Sequence, residues 1–82
     1  MATSTNDLKR WFKEGKREGA THMIVVCDTF DYFDYPVYVM PNEDVRQRES
    51  GFETNMQKVM EVYDLRKDIE GQMKPGTRVF NY

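Results

Sequence analysis

Apolar positions along the chain change period several times, and each change marks an element. Leu8, Trp11, Phe12 and Gly15 recur at i, i+3, i+4 and i+7, which is one face of a helix. The pattern predicts helix over about residues 6–18, with Ser4, Thr5 and Asn6 as candidate caps and Asp7 in the first turn. Lys16 and Arg17 suit its last turn, and Gly19 suits the left-handed position beyond it. Gly15 on the apolar face lets the helix approach a sheet closely.

From His22 to Thr29 the period becomes two, yet both faces, Met23/Val25/Cys27 and His22/Ile24/Val26, are largely apolar. That predicts a central strand covered on both sides, with a helix on one and something else on the other. A second strand is expected over Pro36–Met40, because proline is tolerated at a strand start and Pro41 ends the run. The connection Asp28–Tyr35 holds no Asn-Gly or Gly-Gly pair, which predicts a longer loop than a two-residue turn. Pro41 to Arg48 reads as a short surface helix capped by Asn42 and ended by Ser50-Gly51.

Phe52 to Met73 admits two periods. Phe52, Met56, Val59, Met60 and Tyr63 fit helical spacing, whereas Lys58 to Tyr63 fits a strand. A two-stranded hairpin alone is marginal in water, which favours a third strand over about Gln57–Leu65, followed by a short helix at Arg66–Met73. Lys74-Pro75-Gly76 is a break. The apolar tail Thr77–Tyr82 has three options: an edge strand, docking on its own sheet, or contact with a second subunit. The expected fold is α+β: an N-terminal helix on a three-stranded, largely antiparallel sheet, in the order α-β-β-α-β-α.

Eighty-two residues suit one domain spanning 1–82, burying roughly 60–65% of its unfolded surface. Residues 1–5 and 75–82 are expected to be flexible or to contact another subunit. Cys27 has no second cysteine to pair with and lies in an apolar run, which suits an inert core thiol in a reducing cytoplasm. The N-terminus lacks the apolar core of a signal peptide, and the run Met23–Cys27 is far short of a membrane span. Fourteen acids against twelve bases, a net charge of −2, argue against electrostatically driven nucleic-acid binding. Charge is nonetheless segregated. Between Ala20 and Met40 the charged residues are Asp28, Asp31 and Asp34, with His22 aside, whereas Lys9–Arg17 carries five bases and one acid. Such a dipolar chain can orient a partner or a second copy of itself.

Candidate chemistry is easier to reject than to assign. Asp28, Asp31 and Asp34 lack the alternating spacing, central glycine and terminal glutamate of an EF-hand loop. Carboxylate-pair hydrolysis needs two acids in a cleft about 5–10 Å apart, and a small domain with one hairpin offers no obvious cleft. V-V-C-D-T-F-D is similar to the strand-end motif of haloacid-dehalogenase-type phosphatases, but Phe30 stands where that family needs a second aspartate. No phosphate-binding glycine loop and no Cys–His zinc spacing occur, and His22 has no ligand partner at metal spacing. The expectation is a protein without catalytic residues, cofactor or metal.

The aromatics are more informative. Phe30, Tyr32, Phe33 and Tyr35, interleaved with Asp28, Asp31 and Asp34, exceed what so small a core absorbs, and tyrosine-rich patches with few lysines typify protein interfaces. The basic helix face, with Arg10, Lys13 and Arg17, offers a second option: phosphate contacts for a small nucleotide held between subunits.

Gly19–Val39, G-A-T-H-M-I-V-V-C-D-T-F-D-Y-F-D-Y-P-V-Y-V, together with Val59–Leu65, V-M-E-V-Y-D-L, resembles small uncharacterised proteins of bacteriophages and prophage-bearing bacteria. The resemblance carries no catalytic motif. What it implies is a viral context, in which small acidic proteins often act by binding. The leading expectation is therefore a phage-type inhibitor that binds a host defence or regulatory protein through an acidic, aromatic hairpin. The alternatives are an oligomeric nucleotide-sequestering protein and a structural accessory subunit.

Overall fold

The computed structural model describes residues 5–53, 56–73 and 79–82. Six elements follow the expected order: α1 (Thr5–Arg17), β1 (His22–Asp28), β2 (Phe33–Val39), α2 (Val45–Ser50), β3 (Gln57–Asp64) and α3 (Ile69–Gln72). The strands form one antiparallel sheet with β1 at its centre, in the order β2-β1-β3. The class is α+β, as the alternation of periods predicts.

β1 is central because it is apolar on both faces. Met23 and Val25 point into a cluster with Leu8, Phe12, Ala20, Tyr63, Leu65 and Val79, beneath α1. Ile24 and Val26 point the other way, into a cluster with Val39, Val59 and Val62. Val45 of α2 and Phe52 just beyond it pack against this second cluster. Each of these four β1 side chains is at most 1% exposed, and burial of that completeness contributes about 1.5–3 kcal/mol per side chain.

Two devices seat α1. At Gly15 an added Cβ would stand 2.7 Å from Leu65 Cδ1 and 2.9 Å from Tyr38 Cδ1, so helix and sheet touch where a side chain is missing. At the C-terminal end, Gly19 takes φ +83°; its N–H donates to the Lys16 carbonyl (3.1 Å) and that of Ala20 to the Gly15 carbonyl (3.0 Å). Those bonds form the Schellman closure that a glycine makes possible. The helix begins one residue earlier than the apolar pattern suggests, and the expected cap Ser4 lies outside the described residues.

Three boundaries depart from expectation. β2 starts at Phe33, not Pro36, which shortens the connection to Thr29–Tyr32. Pro36 thus lies mid-strand opposite Val25, tolerated because β2 is an edge. α2 is capped by Asp44, whose Oδ1 accepts from the N–H groups of Arg46 (2.9 Å) and Gln47 (3.2 Å), rather than by Asn42. α3 is a single turn, not the eight residues from Arg66 to Met73.

β3 explains its own ambiguity. Its register with β1 shifts, so that Val25 faces Glu61 while Val26 faces Val59, leaving Met60 as an extra residue. This bulge puts Val59 and Val62, three residues apart, on the same face, and that spacing imitates a helix. Beyond β3, the tail adds a parallel bridge between Val62 and Phe80: Val62 N–H donates to the Val79 carbonyl (2.8 Å) and Asn81 N–H to the Val62 carbonyl (2.9 Å). Of the sequence-based options for the tail, this is an addition to its own sheet. Gln72 extends the closure. Its Oε1 accepts from Asp64 N–H (2.7 Å) and Asn81 Nδ2 (3.1 Å), and its Nε2 donates to the Asp64 carbonyl (2.7 Å). A side-chain amide here does the work of a strand backbone. Residues 1–4 and 74–78, which include most of the ends expected to be flexible, lie outside the described residues.

Candidate protein-binding surface

The β1–β2 turn is built by Asp28. Its Oδ1 accepts from the backbone N–H groups of Phe30 (2.9 Å) and Asp31 (3.2 Å), and its carbonyl accepts from Tyr32 N–H (2.7 Å). Chain reversal is completed by Tyr32 at φ 57°, the one non-glycine residue at positive φ among those described. A tyrosine in the left-handed region is strained by roughly 1 kcal/mol or more, and such strain persists only where the surroundings enforce it.

That turn pushes rings outward. Phe30 is 69% exposed, Tyr32 67% and Phe33 43%, and Met56, whose carbonyl accepts from Thr29 N–H (2.9 Å), is 49% exposed beside them. Asp31 is exposed among these residues. Tyr35 differs: it is half-buried, packs on the Ile24/Val26 cluster, receives a hydrogen bond from Gln57 Nε2 at its hydroxyl, and lies 5.8 Å centroid to centroid from Phe33. Burial, then the charge of Asp28, pushes its phenol pKa up. Asp34 is half-buried opposite Cys27 and accepts a hydrogen bond from the thiol; burial first, then that bond, pushes the thiol pKa up, so it stays protonated. Of the seven residues singled out from sequence, the fold thus brings Phe30, Asp31, Tyr32 and Phe33 to the surface together. Asp28 shapes the turn, and Asp34 and Tyr35 hold its two strands. Met56 was missed; its signal is that it immediately precedes Gln57, the residue paired with Asp28.

The basic residues of α1 do not converge as a trio. Arg10 pairs with Asp7 at 3.1 Å, and Arg17 is exposed at the end of the helix. Lys13 instead joins Lys9 and Lys16 along a groove of about 440 Å³ between α1 and α3, floored by Phe12 and Ile69. Lys9 reaches Glu70 of α3 at 3.2 Å, and Lys16 Nζ stands 5.5 Å from the Phe12 ring centroid.

Among the described residues, no cluster of three or more His, Cys, Asp or Glu side chains could hold a metal ion, and no helix is long and apolar enough to cross a membrane. No protein-family model, no curated protein and no solved structure matches the chain.

Proposed function

We propose that this chain is a non-enzymatic protein-binding module whose contact surface is the β1–β2 tip. The observation that carries the reading is the exposure of Phe30, Tyr32 and Phe33 on either side of Asp31, at a turn whose amides are held by Asp28, with Met56 exposed where its carbonyl meets Thr29 N–H. Exposed aromatics on a rigid support lose little conformational entropy on docking, which is what interface anchors require. The partner presents an apolar recess with a basic rim. A host defence or regulatory protein, bound by a phage-type inhibitor in the cytoplasm, is the proposed setting, and the phage part of it rests solely on the resemblance of Gly19–Val39 and Val59–Leu65.

The test is comparative capture. Wild-type chain and a Phe30→Ala/Tyr32→Ala variant of unchanged circular dichroism are used as bait in host lysate, and any retained protein is then titrated in pure form. Retention by wild type with at least about a hundredfold weaker binding to the variant supports the reading. Equal binding by both removes the tip from consideration.

A further inference from the structure

We infer that the chain also carries the recess into which its own tip fits, so that a second copy seats its β1–β2 tip in the groove between α1 and α3. The two surfaces match in chemistry and in sign. The groove has an apolar floor, Phe12 and Ile69, beneath the ammonium groups of Lys9, Lys13 and Lys16. The tip is apolar at Phe30 and Tyr32 and anionic at Asp31, with Asp28 and Asp34 behind it and no lysine or arginine between Ala20 and Met40.

Size and charge state agree with this occupant. A space of about 440 Å³ falls in the range of pockets that take a small ligand or one or two side chains. Within the groove, Lys9 is held by Glu70 in a pair whose side chains are 43% and 71% exposed, a contact weak enough to be exchanged. Lys13 is exposed, and Lys16 already lies against the Phe12 ring, so an entering Phe30 or Tyr32 would meet ammonium groups placed for ring contact. Asp68 and Glu70 on the α3 side oppose a small free anion more than they oppose a knob that is mostly apolar and brings its charge to the α1 side.

Because tip and groove are different surfaces, the contact is heterologous. Each docked copy leaves one tip and one groove unused, so assembly closes into a ring or continues as a chain. Docking also covers the surface proposed for the protein partner, and self-association would compete with partner binding.

Sedimentation velocity of the purified chain at low ionic strength, with two variants, tests the contact. One variant, Phe30→Ala/Asp31→Lys, loses the tip; the other, Lys13→Glu/Lys16→Glu, loses the groove; all four positions are exposed or on a solvated helix face, and circular dichroism confirms folding. Wild type is expected to associate in a concentration-dependent way that weakens with added salt. Each variant alone is expected to be monomeric. An equimolar mixture of the two restores a single intact tip–groove pair and is expected to give dimers that grow no further. A monomeric wild type, a mixture that remains monomeric, or variants that associate as well as wild type would overturn the inference; so would native mass spectrometry showing a small anion bound once per chain and lost with the groove variant. The groove variant keeps its tip and its capacity for the protein partner, so this inference and the proposed function fail separately.

Discussion

The phenol of Tyr38 donates to the main-chain carbonyl of Trp11 at 3.0 Å, tying the edge strand β2 to the middle of α1 across 27 residues of sequence. Burial, reinforced by the charges of Glu14 and Glu18, pushes this phenol up to about 12 from 10. The folded chain keeps a proton that the unfolded chain releases between those values. The contribution of Tyr38 to stability is therefore level below about pH 10 and falls as pH rises from about 10 towards 12. Tyr38→Phe is expected to cost about 1 kcal/mol at neutral pH and to flatten part of the alkaline decline. Urea midpoints of both proteins at neutral pH and near pH 11 measure both effects; parallel curves would mean that Tyr38 is not a source of the decline. Tyr63, Tyr35 and Tyr82, each also raised first by burial, contribute to the rest of the decline.

At Gly15 the clash of a Cβ with Leu65 and Tyr38 competes with the helix preference for alanine. Gly15→Ala is expected to destabilise by about 1–2 kcal/mol, because Leu65 and the tethered Tyr38 ring must shift to clear a Cβ at 2.7 and 2.9 Å, which outweighs the roughly 1 kcal/mol of helix propensity that alanine gains. Gly15→Val adds two methyls beyond that Cβ with no space for them and is expected to destabilise by about 3 kcal/mol or more. Thermal melts rank the three.

Tyr32 should separate stability from binding. Tyr32→Gly relieves the left-handed strain and is expected to stabilise the fold by about 0.5–1 kcal/mol while weakening the tip's contacts. A variant that is less stable than wild type would show that the ring holds the turn, and a variant that binds normally would show that it is not an anchor.

Asp64, with a side chain only 5% exposed, accepts from Arg66 through the backbone N–H (2.9 Å), Nε (2.9 Å) and a terminal guanidinium nitrogen (3.0 Å). The side-chain bonds outweigh burial and hold the carboxyl below its usual 3.8. A carboxyl depressed by folding stabilises above its unfolded value, and that stabilisation is lost as pH falls through the folded one. Arg66→Met should move the acid unfolding midpoint to higher pH, as followed by circular dichroism. An unmoved midpoint would mean that the pair does not set acid stability.

Gln72→Leu is expected to cost about 2–4 kcal/mol, because both backbone groups of Asp64 lose their partner inside the fold. Amide exchange at Asp64 and Val62 would report the same opening locally. Gln72→Asn, too short to reach, is expected to behave alike.

What could be read in advance divides along physical lines. β1 was legible because two apolar faces leave a strand nowhere to lie except at the centre, and α1 because Leu8, Phe12 and Gly15 keep one period. The start of β2 was not. Tyr32 reverses the chain at a φ that its residue type seldom adopts, and Asp28 replaces the usual glycine by bonding the loop amides. In β3 the extra Met60 broke the period of two, and residue order alone does not reveal where a bulge will fall. Phe30, Tyr32 and Phe33 were legible as a surplus of aromatics over core. Met56 and the Lys9–Lys13–Lys16 groove depend on neighbours brought together only by folding.

The bridge between Val62 and Phe80 gives the sheet a direction in time. β3 is synthesised well before residues 79–81, and the Val62 N–H and carbonyl find their strand partners only when that later segment arrives. A chain cut short before residue 79 would leave the Val62 N–H and carbonyl without those partners, and the outer edge of β3 would then be open, like that of β2, to pairing with other chains.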